Sequence, residues 1–363
     1  MALQESDLRT SNFSLMRLRE IEMKPTVHDI AREAGVSLAT VDRVLNGRPG
    51  VRAPTRERVQ KAVETLGFVR DVAAANLAKG RVYPLTFIVP SNDNSFMAAL
   101  RAEIVAQQER GALERMAITL MTVPAFDSPA LVEALDAAGA GCPAGIAVVA
   151  VDSTAVRDAV ARLATNGIPV VTLVSDLPGS ARSHFAGIDN EAAGRTAGAL
   201  MGRFLEGRNG VVGIIAGSLE VRDHRERLDG FRASLSEMAP GLSLLSPAEG
   251  LDEPERVHRL AADLLAREPR LLGIYSLGAG NRGLIRALEA RIGGPSLRVI
   301  AHELTRHTRS ALETGLIDIV LNQDAGHEVR SAIRVLKARA DGQPVIDAQE
   351  RIRIDIFLKD NLP

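Results

Sequence analysis

From Leu85 to Leu358 the sequence alternates short, nearly continuous apolar runs with stretches of mixed apolar and charged residues. LTFIVP, AITLMTV, GIAVVAV, PVVTLV, FAGI, VVGIIA, LLGIYS, RVIAHE, DIVLNQ and IRIDIFL read as strands. A strand apolar on both faces is what a parallel sheet covered by helices on both sides requires. Amphipathic segments such as 154–166, 191–205 and 254–266 lie between the runs and supply those helices. The pattern predicts an α/β fold with doubly wound parallel sheets. It is too long for one sheet of ordinary size, so two similar lobes side by side are expected.

The 84 residues before this region follow a different rule. Three short helices are expected between residues 25 and 67. Thr26 can cap VHDIAREA, with Asp29 in the place of a capping acid, and Gly35 stops that helix. Ser37 can cap LATVDRVL, which stops at Asn46-Gly47. Pro54 sits in the first turn of a third helix, TRERVQKAVETL, closed by Gly67. Ile30, Ala34, Val41, Val44, Leu45, Val59, Ala62, Val63 and Leu66 recur at helical spacing and can share one small core. Two helices joined by a tight turn with Gly make a helix-turn-helix. On a helical wheel Val41, Val44 and Leu45 face the core, Ala39 and Arg43 face away, and Thr40 and Asp42 lie on the flanks. An exposed Arg on such a helix matches guanine O6 and N7 with its fork of donors.

Charge follows the same division. Between residues 24 and 80 ten Lys and Arg stand against six Asp and Glu, a net +4, whereas the whole chain carries −1. A basic end on an acidic body suits a segment that approaches phosphates. Aromatic residues make up 3% of the 363 and there is no Trp, so base-stacking platforms are not expected. Cys142 is the single cysteine, which excludes an internal disulfide and a Cys-rich metal site. No apolar run approaches the ~20 residues that span a bilayer. The opening residues mix both charges and lack an apolar core, so they do not read as a secretory signal and a cytoplasmic location is expected. Residues 1–23 read as a disordered extension, with Met23 as an alternative start.

The segment TVHDIAREAGVSLATVDRVLNGRPGVRAPTRERVQKAVETLGFVRDVAAANLAKG resembles the headpiece of the LacI/GalR family of bacterial repressors at almost every position of 26–80. The resemblance implies a two-lobed body like a type I periplasmic binding protein, which the α/β pattern fits. It implies a headpiece over 24–70, a hinge helix over 71–81 and a sensor domain over 82–363. Within the sensor, one lobe would hold 82–186 and 320–343, the other 187–319 and 344–358. It places Leu38 and Ala39 on base-reading positions, Arg43 on the shared base-contacting Arg, and Ser37, Thr40, Asn46 and Thr55 on phosphate-contacting positions. Thr26, at the first helix, and Asn76, in the hinge, join these candidates. Leu77 falls on the hinge leucine that wedges into a central base step of the minor groove. Two residues depart from the family pattern: Asp42 and Asp71 stand where it usually has Ser and Asn. Arg48, Arg52, Arg56 and Arg70 are near enough in sequence to compensate. Asp42 has three readings: accepting from a cytosine amine, pairing with an Arg and setting its angle, or repelling phosphate.

A two-lobed α/β body binds its ligand at the C-terminal ends of its strands, between the lobes. Polar residues after apolar runs are therefore candidates: Asn92, Asp93 and Asn94, Ser175 and Asp176, Asp189 and Asn190, Glu303, and Asn322 and Gln323. By resemblance to ribose-type binding proteins, Asn94, Phe96 and Met97 form a first-lobe ligand segment. Arg227 grips the ligand, Glu303 replaces a ligand Asp, and Gln323 lies at a crossover; Ser276, at a strand end, is added to this set. Val149, Val174 and Ser175 stand where ribose binders carry Asn, Asp and Arg, with Asp176 placed to take over part of that role. A plain pentose is thereby disfavoured, and a sugar, polyol or related small metabolite is expected.

These readings lead to a ligand-responsive, sequence-specific DNA-binding regulator, a repressor of carbohydrate or polyol utilisation. It is expected to act as a homodimer on pseudo-palindromic operator DNA, without catalytic residues, cofactor or metal. An α/β dehydrogenase or sugar-modifying enzyme with an accessory headpiece is the alternative. GAGNRG at 278–283 fits the dinucleotide fingerprint, follows a strand and has Glu303 about twenty residues on, but it lies late in the chain. A pure sugar-binding module leaves the basic helix-turn-helix unexplained. HELTRH places His302 and His307 five residues apart, on different helix faces, which does not make a zinc pair. In the family it resembles, tetramers use a C-terminal leucine-heptad helix; this sequence closes on RIDIFLKDNLP, so the resemblance implies a dimer.

Overall fold

A computed structural model describes residues 25–69, 76, 80–92, 94–291 and 296–363. They fall into two compact units, divided between Arg81 and Val82.

The first unit contains α1 (Val27–Ala34), α2 (Leu38–Leu45) and α3 (Ala53–Leu66). Thr26 and Asp29 form a reciprocal capping box, and Gly35 closes α1 in the left-handed conformation. Ser37 accepts from Thr40 N–H to start α2. The third helix begins at Ala53, two residues earlier than its sequence suggests, with Pro54 in its first turn. Ile30, Ala34, Val41, Val59 and Ala62 are buried together, with Val44, Leu45, Val63 and Leu66 packed around them. All nine expected core positions are there, joined by Ala31, Val36 and Phe68.

The second unit holds two sheets. The first is built from β1 (Tyr83–Pro90), β2 (Met116–Val123), β3 (Gly145–Val148), β4 (Val170–Leu173) and β5 (His184–Ala186), in the order β2-β1-β3-β4-β5 and parallel throughout. Leu85, Phe87 and Val89 of β1 pack under α4 (Ser95–Glu114) and the late helix α12 (Ala325–Ala340). Ile88, on the opposite face, packs under α5 (Ser128–Ala140) and α6 (Thr154–Thr165). Burial on both faces is the reason β1, β3 and β4 read as unbroken apolar runs, whereas β2 and β5 at the edges are partly exposed.

The second sheet contains β6 (Gly210–Ala216), β7 (Leu242–Leu244), β8 (Ala248–Glu249), β9 (Leu271–Ser276), β10 (Arg298–His302), β11 (Ile319–Asn322) and β12 (Asp355–Phe357). Its order is β12-β11-β10-β9-β6-β7, with β8 also on β6, and β12 is antiparallel to β11. On one face lie α7 (Asn190–Phe204) and α8 (Arg222–Met238). On the other lie α9 (Pro254–Arg267), α10 (Asn281–Glu289) and α11 (Arg306–Thr314).

Three departures from the sequence reading follow from local chemistry. The strand in the run GIAVVAV ends at Val148; Val149 N–H still donates to the Ile88 carbonyl at 3.0 Å, and 150–151 continue outside the strand. Strands β7 and β8, three and two residues long, escape a reading based on long apolar runs. The expected return to the first lobe at 320 is too early, because β11 pairs with β10 and β12 through Asn322. The chain leaves the second sheet at Gln323 and enters α12 behind the cap of Asp324, which accepts from His327 N–H.

Candidate functional site

In the first unit α2 presents Leu38, 42% exposed, together with exposed Ala39, Asp42 and Arg43. Val41 is fully buried beneath them, and Val44 and Leu45 are half-buried, so the core side of the helix fixes its outward side. Arg43 makes no ion pair among the described residues. Ser37 Oγ and Thr40 Oγ1 lie 2.9 Å apart, and Thr40 is half-buried, as is Thr55. The hydroxyl of Thr26 donates to Asp29 Oδ2 at 2.7 Å.

Asp42 is engaged on both oxygens. Asn46 Nδ2 donates to Oδ1 at 2.6 Å, and Arg48 Nη1 donates to Oδ2 at 3.1 Å. The carboxylate thus ties the last turn of α2 to the loop after it. Asn76 is helical and half-buried, whereas Leu77, Asp71 and Arg70 lie outside the described residues.

In the second unit the C-terminal ends of the strands converge on a cleft enclosing about 730 Å³, solvent at its mouth included. It is lined by seven of the nine expected ligand residues: Asn94, Phe96, Met97, Ser175, Arg227, Glu303 and Gln323. Arg227, 2% exposed, is held by two of its nitrogens: Nε donates to Asn190 Oδ1 at 2.8 Å and Nη1 to the Leu277 carbonyl at 3.0 Å. Its third nitrogen, Nη2, has no hydrogen-bond partner and stands 3.6 Å from Glu303 Oε1. Glu303 Oε1 accepts from Gln323 Nε2 at 2.8 Å. Burial pushes the Glu303 carboxyl up to about 7, against the opposing pull of Arg227 and Gln323.

Asn94 spans the cleft. Its Oδ1 caps α4 by accepting from Phe96 N–H at 2.9 Å, and its Nδ2 donates to Asp252 Oδ2 at 3.0 Å. Asp252 Oδ1 accepts from Ala279 N–H at 2.8 Å. Phe126, Val174, Asp252 and Glu303, four cleft residues, have φ between 58 and 70°, a region costly for side chains other than Gly. Such strain collects where a site must be held in one shape.

Two expected ligand residues, Asp176 and Ser276, do not line the cleft. Asp176 is turned away: Oδ1 accepts from Thr172 Oγ1 at 2.9 Å and from Leu177 N–H at 2.7 Å, and Oδ2 from Arg182 at 2.6 Å. Its oxygens are consumed in holding the β4–β5 loop. Ser276 is fully buried and donates to Asn281 Oδ1 at 2.7 Å, a link from β9 to α10. Of the looser candidates, Asp189 caps α7, Asn190 holds Arg227 and Asn322 Oδ1 accepts from Leu304 N–H, while Asp93 lies outside the described residues.

The sequence reading passes over Asp223, His224 and Asp252, all buried and all lining the cleft. Asp223 and His224 lie in the first turn of α8, seven and eight residues beyond the end of β6, too far for a rule of polar groups just after apolar strands. Asp252 follows β8, a strand too short to read. His224 Nδ1 lies 2.9 Å from the Ser218 carbonyl oxygen, and its Nε2 is 3.7 Å from Asp223 Oδ2.

The glycines of GAGNRG serve packing. A Cβ on Gly283 would lie 1.9 Å from the Pro254 carbonyl oxygen, so α9 and α10 touch there through backbone. His302 is buried against Tyr275 and His307 is not, and no cluster able to hold a metal occurs among the described residues. No helix among the described residues is long and apolar enough to cross a membrane.

Comparison with known proteins agrees with this division. Residues 85–344 match the family model described as a periplasmic binding protein domain, and residues 26–71 match that of the bacterial regulatory proteins, lacI family. Catabolite control protein A of Priestia megaterium is 42% identical over 78 residues, 22% of this chain and 24% of that protein. The HTH-type transcriptional regulator MalR of Streptomyces coelicolor is 35% identical over 177 residues, 47% of this chain and 48% of that protein. The matched segments thus span from a quarter to about half the length of these curated relatives. Among solved structures, a solute-binding protein of Burkholderia graminis in complex with D-arabinose superposes with a TM-score of 0.70. It is 23% identical and the match covers 78% of this chain and 97% of that one, a likeness of fold. The chain belongs, through its second unit, to the family of periplasmic binding protein domains, and its first unit carries a helix-turn-helix domain of the lacI family of bacterial regulatory proteins.

Proposed function

We propose that the protein is a cytoplasmic, ligand-responsive repressor. As a homodimer it reads a pseudo-palindromic operator through α2, and its operator affinity is set by a small neutral polyhydroxylated molecule in the cleft. The observation that carries the sensor half is a set of buried polar atoms without partners. Asn92 Oδ1, Ser175 Oγ, Asp223 Oδ1, Arg227 Nη2 and Gln323 Oε1 all belong to residues lining the cleft. Burying a polar group without a partner costs ~1–3 kcal/mol, and a ligand supplies the missing partners. The set mixes acceptors with one cationic donor, which suits hydroxyl groups, since each hydroxyl both donates and accepts. A carboxylate ligand would gain from Arg227 and be repelled by Asp223. The D-arabinose in the B. graminis complex agrees with a carbohydrate effector, and the transcriptional regulator among the relatives agrees with the DNA-binding half.

On α2, Arg43 is the base reader and Leu38 and Ala39 set the fit, while Thr40, the caps Ser37 and Asn46, and Thr55 of α3 meet phosphates. Thr26 and Asn76 complete the DNA-contacting set, and Asp42 acts through Arg48. A ligand that binds one lobe arrangement better than another shifts operator affinity by its differential affinity. The test is a gel shift on the gene's upstream DNA with a thermal-shift screen of sugars and polyols. Arg43→Ala is expected to weaken operator binding by ~1–3 kcal/mol and relax specificity. Arg227→Ala is expected to abolish the ligand response with operator binding intact. Normal operator recognition in the first variant, or a normal response in the second, would sink the corresponding half.

A further inference from the structure

The two walls of the cleft differ in chemistry. The second lobe and the crossover bring Asp223, His224, Arg227, Asp252, Glu303 and Gln323. Among the described residues the first lobe brings mostly carbon: Val123, Phe126, Leu131, Val149, Val151 and Val174. Its polar exceptions are largely committed. Asn94 caps α4 and holds Asp252, and Asp127 Oδ1 accepts from Ala130 N–H at 2.9 Å. Ser175 Oγ and Asn92 Oδ1 remain as single atoms beside an apolar wall. A ring hydroxylated on every carbon would press several hydroxyls against that wall and lose their water without replacement. Each such loss costs roughly an order of magnitude in binding or more.

We infer that the effector is a carbohydrate with an apolar part, a deoxy carbon or an aglycone. Its hydroxyls face Asp223, Arg227 and Gln323, and its apolar part lies against Val149, Val174 and the loop from Val123 to Phe126. This assignment rests on the sensor reading above and narrows it. A single extra methylene in an apolar pocket changes binding by about 10- to 200-fold, so the preference is large enough to measure.

The experiment titrates the full chain, by calorimetry and thermal shift, with hexoses, their 6-deoxy counterparts and their phenyl glycosides. At least one deoxy or phenyl member is expected to bind ~10-fold or more tightly than its fully hydroxylated parent. Val149→Asn is expected to weaken that member by ~10-fold and to leave the parent unchanged or tighter. Val149→Thr, nearly the same shape, guards against misfolding and moves the ratio the same way. Parents binding as tightly as their deoxy and phenyl counterparts would overturn the inference and leave the sensor reading standing. An unchanged ratio in folded Val149 variants would overturn the assignment of the wall. A panel in which nothing of either series binds would overturn both.

Discussion

Glu328 sits in the first turn of α12, fully buried, and neither carboxyl oxygen has a hydrogen-bond partner. Burial and then the neighbouring Glu303 push its carboxyl well above the usual range, with Arg227 pulling the other way. Both acids thus hold a proton in the fold at a pH where the unfolded chain releases it. The native state then binds more protons between the ordinary value of 4.5 and about 7 for Glu303, so stability falls as pH rises through that window. At ~1.4 kcal/mol per tenfold in proton affinity, the share of Glu303 is on the order of 3 kcal/mol. Glu328→Gln removes the other charge without changing shape. It is expected to raise the melting temperature at pH 8 by several degrees and to leave it nearly unchanged at pH 5. Equal melting of wild type and variant at pH 8 would show that Glu328 gives up no proton there. At this scale the sequence is least legible. Asp176 and Asp223 look alike as acids after apolar runs, yet one is spent on Thr172, Leu177 and Arg182, and the other lines the cleft with an open oxygen. Which way a short acid turns depends on loop partners that strand spacing does not encode. Asp42 is the same case, since pairing with Arg48 and Asn46 is a choice among rotamers.

The helix pair α7 and α8 shows how an element positions a side chain. A Cβ on Gly194 would lie 2.0 Å from the Arg227 carbonyl oxygen, and one on Gly230 would lie 2.2 Å from the Glu191 carbonyl oxygen. The two helices therefore meet backbone to backbone beside the start of α7. That contact brings Asn190, its first residue, to Arg227 Nε and aims the guanidinium at the cleft. Gly194→Ala must separate the helices, at a cost of about 1–3 kcal/mol for overpacking. A displacement of ~1 Å in such a contact also loosens a site built on it. The variant is expected to fold with a lower melting temperature and to bind the effector at least ~10-fold more weakly. Full effector affinity in Gly194→Ala would mean that Arg227 is placed without this seam. Elements were far more legible than side-chain directions. The central strands announce themselves because burial on both faces leaves few polar positions, and the capping residues of α1 and α2 stand where the backbone needs them. The glycines at 194, 198 and 202 are spaced four apart, a pattern visible in the sequence, but only the structure shows which helix they admit.

Across the whole second unit, the lobes are joined by more than their crossovers. Asn94 Nδ2 reaches Asp252 from one lobe to the other, and at the rim Asp152 of the first lobe meets Arg222 and Arg225 of the second, at 3.8 and 3.7 Å. Arg157, from the first lobe, donates to the other oxygen of Asp152 and fixes its direction. The rim pairs are partly exposed, so they contribute on the order of 0–1 kcal/mol and are weakened by salt. A contribution of that size cannot hold the lobes shut, but it can set how often they are shut. Apparent ligand affinity scales with the population of the binding-competent arrangement. Asp152→Asn is therefore expected to weaken effector binding by roughly two- to fivefold and to increase the radius of gyration seen by X-ray scattering. Raising the ionic strength of the wild type should reproduce part of that loss and have less effect on the variant. Because coupling between two ligands is reciprocal, any factor by which operator DNA changes effector affinity must equal the factor by which the effector changes operator affinity. Measuring both in wild type and in Asp152→Asn separates the lobes from the headpiece. A variant that loses effector affinity but keeps the coupling factor has a changed lobe equilibrium alone, whereas one that loses the factor has lost the link that makes a sensor a switch.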